Sequence, residues 1–339
     1  MTSSAWSLRA RIRPEKRKIL FACSGLFLLN LGLFYNQMTS GPFQADPWDV
    51  LLATLGLGDE TSTFIVLDLR LPRALLAMFI GVSFALSGAI VQAICRNPLA
   101  SPGTLGINAG ASFGAVVLLV VFPDIPLAFL PAAAFGGGVF AAICTYSLGW
   151  TGSSSSTRLV LAGVGVGVLF SALISIVMVF GKLQLISQAT LWISGSIYGA
   201  KWSDVAVIAL SSAVLIPLSF LSVTMLDVMA MGRAVSIGLG SAVERDRVLL
   251  LLLAVTLSST CVAVSGPIGF VGLMSPHIAR MIAGSNHRNI LPIAALTGAA
   301  IVQAADLLGR TVFAPTEIPV GIFTAAVGAP FLIYLLVKR

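Results

Sequence analysis

The sequence predicts an all-α polytopic membrane protein with ten transmembrane helices, on three observations. Apolar residues make up 57% of the chain and charged residues only 10%, with a mean hydropathy of +1.00, outside the range of a soluble domain of this length. Apolar runs long enough to cross a bilayer recur along most of the 339 residues, which at about 20 residues per crossing leaves little chain for an extramembrane domain. The basic residues fall between those runs and concentrate on alternate connections, as topology signals do.

The chain opens with a basic tail, residues 1–18, carrying Arg9, Arg11, Arg13, Lys16, Arg17 and Lys18. The apolar segment behind it looks like a signal peptide, but Asn30 to Met38 lacks a small-residue cleavage site, so this segment is expected to stay as the first span, 19–38. Charges, glycines and prolines then bound spans near 71–95, 103–122, 127–150, 158–180, 203–226, 247–265, 267–283, 289–308 and 318–337. Residues 19–339 therefore read as one transmembrane domain.

With a cytoplasmic N-terminus, alternate connections place 15 of the 20 basic residues inside, and Arg70, Arg73, Lys182, Lys201 and Arg310 outside with nine of the 13 acidic residues. Removing one span inverts every later connection and degrades that asymmetry, so the sequence predicts an even number of spans and two cytoplasmic termini. The pI near 9.6 is thereby a membrane-topology signal, and no soluble basic face for nucleic acid is expected. Cys23, Cys95, Cys144 and Cys261 lie in or beside apolar runs without metal-knuckle spacing and are expected as free thiols. Gly106, Gly110 and Gly114, and Gly163, Gly165 and Gly167, mark small helix faces, for tight packing or for a moving wall beside a pathway.

Several chemistries are disfavoured. Gly110-Ala111-Ser112-Phe113-Gly114 matches a nucleophile-elbow pattern but lies in a helical run, without the strand-to-helix turn or the triad that pattern needs. His277 reads as a helix-packing residue before it reads as a ligand or base. The sequence has no G-x-x-x-x-G-K-[ST] phosphate loop, so ATP is not expected to bind here. Each Asp and Glu falls near a span end or in a connection, which argues against an ion-coupled carrier with a mid-membrane carboxylate. A stand-alone carrier and a polytopic membrane enzyme remain as rivals to a passive pathway driven by a partner.

Two segments stand out. Residues 227–247 form the longest cytoplasmic connection, apolar and broken by Gly238 and Gly240. It is either a solvated loop or a pair of short surface helices that dock a separate ATPase. Arg70-Leu71-Pro72-Arg73 opens the second span with proline in the first helical turn. Arginines there oppose the helix dipole, so a carboxylate must favour them, either a neighbour such as Asp68 or one on a docking partner.

From about residue 64 onward the chain resembles the FecCD family of permeases, the membrane subunits of type II ABC importers for iron-siderophores, haem and vitamin B12. Its landmarks are Arg70-Leu71-Pro72-Arg73, Ser87-Gly88-Ala89, Asn97-Pro98-Leu99-Ala100-Ser101-Pro102-Gly103, Leu161-Ala162-Gly163, Gly266-Pro267-Ile268-Gly269-Phe270-Val271-Gly272-Leu273, Pro276-His277-Ile278-Ala279-Arg280, Ala305-Asp306 and Pro319-Val320-Gly321. The resemblance implies a multi-pass protein of the bacterial inner membrane that works with a second permease subunit, two ATP-binding subunits and a periplasmic or lipid-anchored substrate-binding protein. ATP and Mg would sit on the ATPases, with no cofactor on this chain. It implies iron(III)-siderophore cargo, with haem or cobalamin as the alternative.

By the same resemblance Arg70, Arg73 and Arg310 receive acidic residues of the binding protein. Asn97, Leu99, Ser155 and Ser156 constrict the cytoplasmic end of the pathway, unless they serve only as turn formers. Ala234, Val235, Ser236, Ile237, Gly238, Leu239 and Gly240 contact the ATPase, although this stretch follows the family's leucine-glycine pattern loosely.

Overall fold

The computed structural model describes residues 3–41, 46–149 and 156–338, and among them all regular structure is helical. Seven helical segments are long and apolar enough to cross a membrane, and Ile107–Val121 and Val320–Leu335 are shorter apolar helices.

The first helix, α1 (Ser3–Thr39), absorbs most of the basic tail: its backbone runs unbroken from the charged stretch into the first apolar run. Short helices α2 (Pro47–Thr54) and α3 (Glu60–Thr63) follow, the latter capped by Asp59, whose side chain accepts from Ser62 N. The second span begins earlier than the sequence suggests. A π-helical stretch, Phe64–Arg70, joins α3 to α4 (Leu71–Cys95), and Leu71 N bonds to Val66 O across it. Pro72 has no N–H to donate and sits just after the widened turn, so the helix passes through it rather than starting there.

Arg96 ends α4 in the left-handed conformation, with φ 47°. A 3-10 turn over Pro102–Leu105 leads to Gly106, φ 76°, and only then to α5 (Ile107–Val116). The remaining helices are α6 (Leu130–Gly149), α7 (Ser156–Phe180), α8 (Leu183–Ile193), α9 (Trp202–Leu221), α10 (Val223–Ala230), α11 (Arg233–Gly238), α12 (Val243–Ser265), α13 (Val271–Ala283), α14 (His287–Thr311) and α15 (Val320–Val337).

Two departures from the sequence reading have clear causes. Residues 183–193, read as connection, form α8, whose 11 residues are too few for a crossing and whose Gln184, Ser187 and Gln188 dilute its apolar signal. The span expected over 267–283 is helical only from Val271, because Gly266 (φ 68°) and Phe270 (φ 66°) turn the chain in left-handed steps. The 13 residues of α13 extend about 20 Å, short of the roughly 30 Å apolar thickness of a bilayer.

Helices α4, α12 and α14 form the buried centre, while α1, α6, α7 and α9 turn apolar faces outward. Close approach at the centre depends on glycine: a Cβ on Gly88 would lie 1.8 Å from Gly272 O, and one on Gly81 2.3 Å from Gly298 O. The predicted small face of α5 also packs, Gly110 against Gly137 O and Gly114 against Ala133 O, whereas Gly165 faces open space. With no hydrophobic drive between helices in lipid, such backbone contact is a principal source of cohesion.

Candidate functional site

Chemistry-bearing residues gather at the two ends of the bundle. At one end the chain brings together Arg70, Arg73 and Arg310, which with Glu317 and Tyr198 line a recess of about 440 Å³. A wider recess of about 800 Å³ next to it shares Arg73, Tyr198 and Glu317 and adds Gln188 and Trp192 from α8.

The physical reason for the cluster is the C-terminus of α1. The last carbonyls of a helix have no partner within it and carry the negative end of its dipole. Arg310 Nη2 donates to Gln37 O at 2.6 Å, and Arg70 Nη1 donates to Met38 O at 2.6 Å and Thr39 O at 3.1 Å. Two cations thus cap the last turn of α1, and both are buried, with Arg70 6% and Arg310 5% exposed.

Arg73 is satisfied differently. Its Nε and Nη2 lie 2.9 and 2.8 Å from Asp306 Oδ1, and its Nη1 lies 2.9 Å from Glu317 Oε2. Asp306 is fully buried and receives a further donor at its other oxygen, Gln37 Nε2 at 3.1 Å. The carboxylates facing these arginines are therefore Asp306 and Glu317, and Asp68, offered as a neighbour by the sequence, is exposed. The network continues into the bundle: Gln303 Nε2 donates to Asn30 Oδ1 at 2.7 Å, and Asn30 Nδ2 donates to Leu296 O at 3.0 Å. An amide ladder thus ties α1 to α14.

The sequence reading missed this ladder although its signal was present. Asn30 and Gln37 are seven residues apart on α1, and Gln303, Asp306 and Arg310 follow i, i+3, i+7 on α14. Polar residues at helical spacing within apolar spans mark a buried polar seam.

At the opposite end, Asn97 Oδ1 accepts from Leu99 N at 2.9 Å, an Asx turn that ends the α4 connection. The Arg96 guanidinium lies 3.4 Å from Ser156 Oγ, so the turn after α4 meets the start of α7. Leu99 lines a small recess of about 270 Å³ with His277 and Leu335. The His277 ring packs edge-on against Phe331, centroids 5.8 Å apart, so it serves the α13–α15 contact. Ser155 lies outside the described residues.

On the same end α10 and α11 form a hairpin of short helices. Gly232, at φ 96°, turns between them, and Ser236 Oγ donates to Val228 O and Gly232 O, both at 2.8 Å. Arg233 pairs with Glu244, and Ser241 Oγ donates to Asp246 Oδ2 at 2.7 Å, fixing α11 to the start of α12. Asp227 Oδ1 accepts from His287 N at 2.9 Å and lies 2.6 Å from His287 Nδ1, which pins α10 to the start of α14. Ser236 is thus turned inward, whereas Ala234, Val235, Ile237, Gly238, Leu239 and Gly240 are exposed. Val235, Ile237 and Leu239 are 48, 55 and 61% exposed, an apolar surface on a braced support. Among the described residues no cluster of His, Cys, Asp and Glu has the composition of a metal site.

A siderophore transport system permease protein of Bacillus subtilis strain 168 is 43% identical, covering 86% of this chain and 87% of its own. The iron(3+)-hydroxamate import system permease of the same organism is 37% identical over 96% of this chain and 99% of its own. The Fe(3+) dicitrate transport system permease of Escherichia coli K12 is 41% identical over 86% and 91%. Among solved structures, one described as an inward-facing conformation of a metal-chelate type ABC transporter superposes with a TM-score of 0.81 at 28% identity, covering 94% of this chain and 99% of the other. The family match extends upstream of residue 64 to take in the last third of α1: over residues 27–338 the chain belongs to the FecCD transport family.

Proposed function

We propose that this chain is the permease subunit of an ABC importer that carries iron(III)-siderophore chelates across the bacterial inner membrane. The observation that carries the reading is near full-length similarity to permeases named for siderophore, hydroxamate and dicitrate iron transport. The braced apolar surface of α11 supports it, because an exposed Val235, Ile237 and Leu239 on a polar-anchored hairpin suits docking into a cleft of a separate ATPase. In this reading α10 and α11 are cytoplasmic, the arginine recess is periplasmic, the chain crosses ten times, and both termini are cytoplasmic.

The work divides between the ends. The substrate-binding protein engages the recess of Arg70, Arg73 and Arg310. The chelate enters a path formed with a second permease subunit, past a cytoplasmic constriction that includes Asn97, Leu99, Ser155 and Ser156. Two ATPases, holding ATP and Mg, close and push the α10–α11 hairpin. The permease does no bond chemistry. Helix α14 joins the two ends directly: His287 at its start is held by Asp227 of α10, and Asp306 near its finish holds Arg73. A 25-residue helix spans about 37 Å, enough to transmit a displacement across the bilayer.

The test is ATP-driven uptake into proteoliposomes that contain this permease, its ATPase and its binding protein, with labelled ferric siderophores, haem and cobalamin offered in turn. Uptake of a ferric siderophore is the expected result. Uptake of haem or cobalamin alone, or of no chelate by an assembled and ATP-hydrolysing complex, would overturn the substrate class.

A further inference from the structure

Arg73 holds two carboxylates that differ in every property bearing on exchange. Asp306 is fully buried within α14, meets Arg73 through both Nε and Nη2, and is held on its other side by Gln37. Glu317 meets Arg73 through Nη1, its side chain is 24% exposed, and it lines both recesses at this end. It lies in the connection between α14 and α15, where Ile318 N bonds to Gly309 O and Gly321 N to Gly195 O, each at 2.9 Å. With the backbone pinned on its C-terminal side, Glu317 can leave Arg73 by rotating its side chain alone.

The charges give that rotation a purpose. Arg70 and Arg310 donate to carbonyls of α1, while Arg73 faces the two carboxylates, so three guanidinium groups meet in one recess. Without Glu317, Arg73 would keep Asp306 alone while standing beside two other guanidinium groups in a partly dry site, an arrangement that like-charge repulsion penalises. A mobile carboxylate relieves that repulsion in the resting protein and still leaves one face of the recess positive.

We propose that Glu317 is a resident stand-in for a partner carboxylate: it occupies Arg73 while the permease is free and is displaced when an acidic side chain of the docking protein enters the recess. This deepens, and rests on, the reading of the arginine recess as a docking site. Asp306 is the fixed partner that keeps Arg73 oriented throughout. The exchange sets docking affinity below the value three arginines would give, which favours release of the binding protein after each delivery.

The experiment measures binding of the substrate-binding protein from the same transport system to the purified permease–ATPase complex, at low and at physiological salt. Glu317→Gln and Glu317→Ser are each expected to bind it about tenfold more tightly than wild type, with the larger gain at low salt. Structural damage would move affinity the other way. Unchanged or weaker binding by both variants, with Arg70→Gln and Arg310→Gln still weakening it, overturns the stand-in role and leaves the docking site intact. Binding indifferent to Arg70→Gln and Arg310→Gln overturns the docking site and the stand-in role with it.

Discussion

Replacing Arg73 by Met removes the cation from a carboxylate that has no access to solvent. Asp306 is 0% exposed, and once Arg73 is gone it is left with the neutral amide of Gln37 at 3.1 Å. Breaking a buried pair from one side costs about 3–5 kcal/mol, because a charge is left uncompensated. Glu317 adds little to that cost, since it can turn to water. For a chain of this size about 2 °C of melting temperature goes with each kcal/mol, so the variant is expected to melt roughly 6–10 °C below wild type. A thiol-reactive fluorophore can follow unfolding in detergent, because Cys95 and Cys261 are buried and become available as the bundle opens. The second variant, Arg73→Met with Asp306→Leu, exchanges the pair for apolar side chains and is expected to recover most of the loss. The reasoning is refuted if Arg73→Met costs less than about 1 kcal/mol, or if the double variant is no more stable than the single one.

Three further outcomes follow from other contacts. Arg70→Ala leaves Met38 O and Thr39 O without their donor and is expected to destabilise the bundle by about 1.5–3 kcal/mol, measured by the same thermal assay. Gly88→Ala would place a methyl 1.8 Å from Gly272 O, so α4 and α13 must separate; an overpacking cost of about 3 kcal/mol or more is expected, together with reduced yield of folded protein. Ile237→Asp and Leu239→Asp alter exposed positions, so the permease is expected to melt as wild type while co-purification of the ATPase drops by roughly tenfold or more, read by affinity pull-down.

Much of the architecture was legible because lipid constrains a chain so strongly. Apolar runs and the distribution of arginines located helices at every expected span, and Gly110 and Gly114 read correctly as a packing face. What hydropathy could not resolve was local backbone geometry. The π turn before Pro72 and the left-handed steps at Gly266 and Phe270 depend on individual dihedrals and on which carbonyl lacks a donor. Helix α8 was lost because a short amphipathic helix and a polar connection share one composition.

At the site, the resemblance placed Arg70, Arg73 and Arg310 together, and the structure has them in one recess. Their partners were not legible by neighbourhood in sequence. Asp306 is 233 residues from Arg73, and the α1 carbonyls they cap are backbone atoms with no signature. The spacing of Asn30, Gln37, Gln303 and Asp306 did carry the information, and reading polar positions with the periodicity applied to apolar ones would have exposed it.

The amide ladder between α1 and α14 also sets a timetable for biogenesis. Gln37 finds Asp306 269 residues later, and Asn30 finds Gln303 273 residues later. At about 5–20 residues per second, the ribosome needs roughly 15–50 s to make the chain between them. During that time Arg70 can already cap Met38 O and Thr39 O and Asn30 can bond Leu26 O within its own helix, but the side chain of Gln37 lacks Asp306 and its carbonyl lacks Arg310. The polar seam between α1 and α14 can therefore close only after α14 has been made, which puts the fastening of the first span to the bundle late in folding.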